Sequence, residues 1–130
     1  MIRVLVLVLA LTMAGCSSGD TVDESLPIVF NGGQLELGET YRYPFYIHCG
    51  MRWLDFNDAV WKTDDPVYRG TGSRYPESLR QWFRNPDEQI SPELWTYVTL
   101  AATDEITLTL PDGSSESTYR PTDEEMPGCA

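Results

Sequence analysis

A single histidine, His48, stands beside a cysteine, Cys49, in a chain of 130 residues. Imidazole next to thiol is the pairing that holds zinc or activates a cysteine nucleophile. Neither chemistry is expected here. Residues in a strand alternate between faces, so neighbours at 48 and 49 would not readily turn to one ligand. The other potential ligands are carboxylates, not the thiolates and imidazoles that a zinc site collects. Serine chemistry lacks a Gly-x-Ser-x-Gly elbow, and the glycine patterns that cradle phosphate or a dinucleotide are missing. No metal, no cofactor and no catalytic residue is therefore expected. One enzymatic alternative survives, because 20 Asp and Glu leave room for the paired carboxylates of a hydrolase acting on envelope polymers.

The best-defined chemistry lies at Cys16. Met1–Arg3 supplies a short basic start, Val4–Leu11 is an unbroken apolar run, and Met13-Ala14-Gly15 leads with small residues into the cysteine. That order is the layout of a secretory signal. The apolar run is shorter than the roughly 20 residues a membrane-spanning helix needs. Met13-Ala14-Gly15-Cys16 resembles the bacterial lipobox, and the resemblance implies cleavage after Gly15 and lipid on Cys16. One fatty chain binds a membrane only marginally, whereas two or three hold it stably, at about 0.8 kcal/mol per buried methylene. Residues 1–15 read as signal peptide, 16–25 as lipidated cysteine and flexible polar tether, and 26–130 as one domain. The expected place is the extracytoplasmic face of a bacterial membrane, with the membrane itself as partner through Cys16.

Charge narrows the partners further. The formal net charge is −11, and it becomes one unit more acidic without the leader, whose only charged residue is Arg3. Nucleic acid, which demands a basic footprint, is not an expected partner. With Cys16 assigned to lipid, Cys49 and Cys129 remain as an even pair in an oxidising compartment, and a disulfide between them is expected. Closing so long a loop is worth about 4–5 kcal/mol by loop-closure entropy.

The pattern of the folded part is mostly of period two. Tyr41, Tyr43, Phe45, Ile47 and Cys49 alternate with residues that tolerate exposure, predicting a half-buried strand ending at Cys49. Pro44 marks an edge or a bulge in it. Met51–Phe56 and Ala59–Lys62 read as strands joined by a turn at Asn57-Asp58. Leu94–Ala102, Ile106–Leu110 and Ser115–Arg120 read as three more, with turns at Thr103–Glu105 and Pro111–Ser114. Asn31-Gly32-Gly33 is expected to close an opening hairpin between Pro27–Phe30 and Gln34–Leu37. The expected fold is all-β: one small sandwich or partly open barrel of about six to eight short strands, by this spacing.

Thr63–Pro92 carries no strand signal. Within it, Leu79, Trp82 and Phe83 recur at helical spacing after Pro76, predicting one short helix from Pro76 to Arg84. Tyr75, Trp82 and Phe83 pose a choice. Either the segment folds back as a lid on the β domain, the favoured outcome, or it stays partly exposed as a contact patch for an envelope glycan or protein ligand. Most of the four tryptophans are expected in the core.

Tyr46-Ile47-His48-Cys49-Gly50-Met51-Arg52-Trp53, with the tail Met126-Pro127-Gly128-Cys129-Ala130, resembles a group of actinobacterial secreted proteins and lipoproteins. The resemblance covers roughly residues 37–62 and the tail, and implies the same compartment and disulfide without implying an activity. The functional expectation is a membrane-tethered, non-catalytic binding or envelope-associated protein.

Overall fold

The computed structural model describes residues 21–70, 75–87 and 92–128. The expected signal segment with Gly15, the lipidation site Cys16 and the disulfide partner Cys129 lie outside them. Six antiparallel strands form one curled sheet: β1 Thr40–Tyr46, β2 Trp53–Phe56, β3 Ala59–Lys62, β4 Glu93–Ala102, β5 Glu105–Thr109 and β6 Glu116–Thr122. The strand order is β1-β4-β5-β6-β3-β2, and the sheet curls into a half-barrel. The fold is the open-barrel form of the expected all-β domain, not a sandwich.

Period two builds the curl. Along β4, Leu94, Thr96, Val98 and Leu100 point inward and are buried, while Trp95, Tyr97 and Thr99 are half-exposed. Ile106 and Leu108 of β5 and Ser117 and Tyr119 of β6 continue the inner layer. Polar groups drawn inward find partners, as burial without them would be costly. Thr96 donates through Oγ1 to the Tyr43 carbonyl at 2.9 Å, Trp61 Nε1 to the Phe56 carbonyl at 2.9 Å, and the Tyr119 hydroxyl to the Met51 carbonyl. Asn57 and Asp58 both hold positive φ, 55° and 56°, the geometry of a two-residue hairpin turn whose twist suits the strands on either side.

Several expectations need correction. β1 ends at Tyr46 rather than Cys49. The Ile47 amide is taken by the Pro92 carbonyl (3.2 Å) and Gly50 N–H donates to the Ile47 carbonyl (3.0 Å), so His48 and Cys49 form the corners of a turn. Gly50 and Gly70 make that turn possible, since a Cβ on Gly70 would lie 2.6 Å from the Gly50 nitrogen.

The expected opening hairpin does not form either. Asn31–Gly33 does turn, with Gly33 N–H on the Phe30 carbonyl at 2.9 Å, but its arms bind other elements. Arg42 N–H donates to the Pro27 carbonyl and Val29 N–H to the Arg42 carbonyl, at 2.8 and 2.9 Å. Gly32 N–H then reaches the Asp55 carbonyl of β2, and Asn57 N–H the Gly33 carbonyl. Asn57 also brackets Leu35 with its side chain, accepting from its N–H at 2.6 Å and donating to its carbonyl at 3.1 Å. Residues 27–35 are thus a strap running from the free edge of β1 to the β2–β3 hairpin.

The predicted helix is a 3₁₀ helix over Glu77–Trp82, with Pro76 preceding it and Phe83 already extended. Three residues per turn bring Leu79 and Trp82 to the same face. Both are buried, Trp82 at 1% exposure, and Phe83 bridges to Leu94 of β4. Residues read as flexible tether also carry contacts: Asp23 N–H donates to the Tyr97 hydroxyl at 2.6 Å, and Val22 packs against the core.

Candidate functional site

A sheet that curls without closing leaves two edges facing one another. Here they are β1 and β2, which do not pair. The strap crosses this seam at one end. Towards the other end lies a groove of about 410 Å³. Its walls are the Tyr43–Tyr46 stretch of β1, Trp53 at the start of β2, Phe30 and Asn31 of the strap turn, Cys49 and Gly50, Glu93, and residues 126–128.

Pro44 explains why β1 can end the sheet. Arg42 directs its amide and carbonyl to the strap, so even-numbered residues of β1 present their backbone to the seam, and Pro44 has no N–H to leave unpaired there. The expected reading of Pro44 as an edge residue holds.

The groove is markedly aromatic. Tyr43 and Phe45 are buried in its floor with ring centroids 5.2 Å apart, while Phe30 (58% exposed) and Tyr46 (48% exposed) stand at its rim. The polar groups are Asn31, Glu93, the Tyr46 hydroxyl, the Trp53 indole N–H and the Tyr43 hydroxyl, which stands 3.5 Å from Asn31 Oδ1. Burial, then the carboxylates of Asp55 and Glu93, push the Tyr43 phenol well above its ordinary range. Among the described residues no lysine, arginine or histidine lines the groove. Glu93 meets Arg84 at 3.1 Å, and Lys62 sits over the Trp53 ring, 5.2 Å from its centroid. Concave, mostly apolar sites of this size with a few convergent polar groups are the usual form of small-ligand pockets.

A second hollow, of about 570 Å³, lies beside β3 and β6 and includes Asp64, Asp65, Glu116 and Glu124. Its carboxylates stand in solvent. Asp65 has a 94% exposed side chain and pairs with Arg69 at 3.3 Å, and Glu124 pairs with Lys62 at 2.8 Å. A general acid for glycoside hydrolysis is a desolvated carboxyl, and these surroundings do not resemble that. Among the described residues no three His, Cys, Asp or Glu side chains converge where a metal ion could sit.

The residues singled out from sequence scatter across these features. Cys49 lines the groove together with Gly128, the neighbour of Cys129. His48 is exposed and stacks on Tyr46, with centroids 5.9 Å apart. Trp82 is in the core and offers no surface. Tyr75 and Phe83 are half-buried and meet edge to face at 5.8 Å, with Tyr68 packed on Tyr75. Of the possible contact patch, Trp82 is therefore enclosed, while Tyr75 and Phe83 keep part of their rings at the surface. Phe30 and Tyr46 are the exposed aromatics at the groove, with Trp53 half-buried beside them. All three were legible only as strand residues, Phe30 in the expected opening hairpin and Tyr46 and Trp53 in the strands that follow. No family model, curated protein or solved structure matches the chain.

Proposed function

We propose that this protein is an extracytoplasmic lipoprotein, tethered through Cys16, that binds an envelope ligand in the seam groove without transforming it. The aromatic groove between the unpaired edges of β1 and β2 is the observation that carries the binding role. A fold that leaves Phe30 and Tyr46 exposed at one concavity holds apolar surface there at a cost in water, and such surface commonly marks a site of contact.

The anchor is supported by the signal layout and lipobox at residues 1–16. Val22 and Asp23 hold contacts to the domain, and the five residues between Cys16 and Val22 let the anchor stand at most about 20 Å away at full extension. The domain would thus be held near the headgroups. Among the described residues no helix is long and apolar enough to cross a membrane.

The test is fractionation with and without Cys16. The parent is expected in the detergent-extracted membrane fraction with acyl chains on Cys16 by mass spectrometry, and Cys16→Ala should be unprocessed or soluble. A Cys16→Ala protein that stays with membranes as the parent does, beside a parent carrying no acyl chain, rules the anchor out. The hydrolase reading has the solvated hollow at β3 and β6 as its place; release of reducing ends from envelope polymers by the purified protein, lost in Glu116→Gln, would favour it.

A further inference from the structure

We propose that the seam groove binds the ammonium group of a small organic cation, quaternary ammonium compounds being the class it suits best. This rests on the reading of the groove as a binding site and names the ligand chemistry for it.

Aromatic faces carry negative charge density, and a cation within about 6 Å of a ring centroid is held by it, most strongly where water is excluded. The groove gathers Phe30, Tyr43, Tyr46 and Trp53 around one space. Two of these rings stay largely exposed at the rim, where an entering ligand would cover them.

The charge in the walls is a carboxylate, and the cations nearest the rings are already engaged, Arg84 with Glu93 and Lys62 with Glu124 and the Trp53 ring. Among the described residues Glu93 is the only charged side chain in the walls. Arg84 approaches it but does not line the groove, and Lys62 lies outside it too. The negative field reaches the floor, where Asp55 and Glu93 both disfavour ionisation of Tyr43. At longer range the net charge of −11 draws cations towards the protein.

Other ligand classes fit less well. An anion would meet a carboxylate and, among the described residues, no cationic donor in the walls. A neutral sugar would find Asn31, Glu93, the Tyr43 and Tyr46 hydroxyls and the Trp53 indole N–H, but it would leave the negative charge of Glu93 without a countercharge on the ligand. A quaternary ammonium group needs no hydrogen bonds, only ring faces and a compensating negative field. The Trp53 ring already takes the Lys62 ammonium on one side at 5.2 Å.

The test is a tryptophan-fluorescence titration of the detergent-extracted full chain with choline, at ionic strength held constant with sodium chloride. The comparison ligand is 3,3-dimethylbutan-1-ol, the uncharged carbon isostere of choline. Saturable binding of choline is expected, with the isostere at least about tenfold weaker. Phe30→Ala and Tyr46→Ala remove exposed rings and should leave the melting temperature unchanged. Each should weaken choline by about five- to thirtyfold. Equal affinity for the isostere, or unchanged choline binding in both variants, overturns the proposal. So does a titration in which choline is silent. If a neutral envelope oligosaccharide then binds and Phe30→Ala weakens it, the cation is wrong but the groove remains a binding site. Silence with every probe removes both readings.

Discussion

Tyr119 shows how one side chain can tie distant parts of this sheet together. It projects inward from β6, is fully buried, and donates its hydroxyl to the Met51 carbonyl in the segment leading to β2. Burial pushes its phenol well above the ordinary range, with Tyr43 adding to the effect, and Tyr43 is itself raised by burial and by Asp55 and Glu93. Both groups are neutral in the fold and ionise more easily once unfolded. Above pH 10 the unfolded chain therefore binds fewer protons than the native one, and stability falls as pH rises. The contribution is fully present below about pH 10 and declines by about 1.4 kcal/mol per pH unit for each tyrosine above it. Tyr119→Phe should cost about 1–3 kcal/mol at neutral pH, because a buried carbonyl loses its donor. It should also make the alkaline slope shallower. Urea melts of parent and variant at pH 8 and pH 11 measure both effects, and identical slopes would count against this account.

The 3₁₀ helix is the element on which sequence and structure diverge most usefully. Its apolar spacing was readable, but spacing alone does not separate three residues per turn from 3.6, and the difference decides that Phe83 leaves the helix face for the edge of β4. The same contrast runs through the fold. Val98, Leu100, Ile106 and Leu108 alternate so regularly that their strands were legible, and Asn57-Asp58 was legible as a turn. The strap was not, since Pro27–Leu37 has strand-like composition and its hydrogen bonds go to Arg42, Asp55 and Asn57, far along the chain. The groove was illegible for that reason: it exists only where a curled sheet fails to close, and strand order is not written in local pattern. Packing of the helix is directly testable. Trp82 is 1% exposed, so Trp82→Ala should destabilise the domain by about 3–5 kcal/mol, the range for buried aromatics. A thermal melt superimposing on that of the parent would mean that this segment is not part of the core.

At the scale of the whole molecule the open barrel has to keep two unpaired edges from splaying. The strap does so at one end through Arg42 and Asp55. At the other end the turn bearing Cys49 joins β1 to β2, and the chain that leaves β6 at Thr122 brings Gly128 to the same groove as Cys49. We propose a disulfide between Cys49 and Cys129 as the second closure; parity, an oxidising compartment and the approach of residues 126–128 support it. Such a bond would do two things together: cross-link the chain across the seam, and hold the tail as one wall of the groove. Its stabilisation is about 4–5 kcal/mol for a loop this long. The decisive measurement is a double-mutant cycle. If the two sulfurs are bonded to each other, Cys49→Ser, Cys129→Ser and the double variant should lose nearly the same stability, because either change removes the whole cross-link. Reductant should then lower the parent to their level and leave all three variants where they were. Additive losses, or two thiols alkylated in the native protein before reduction, would show that the cysteines act apart and that the tail reaches the groove without a covalent hold.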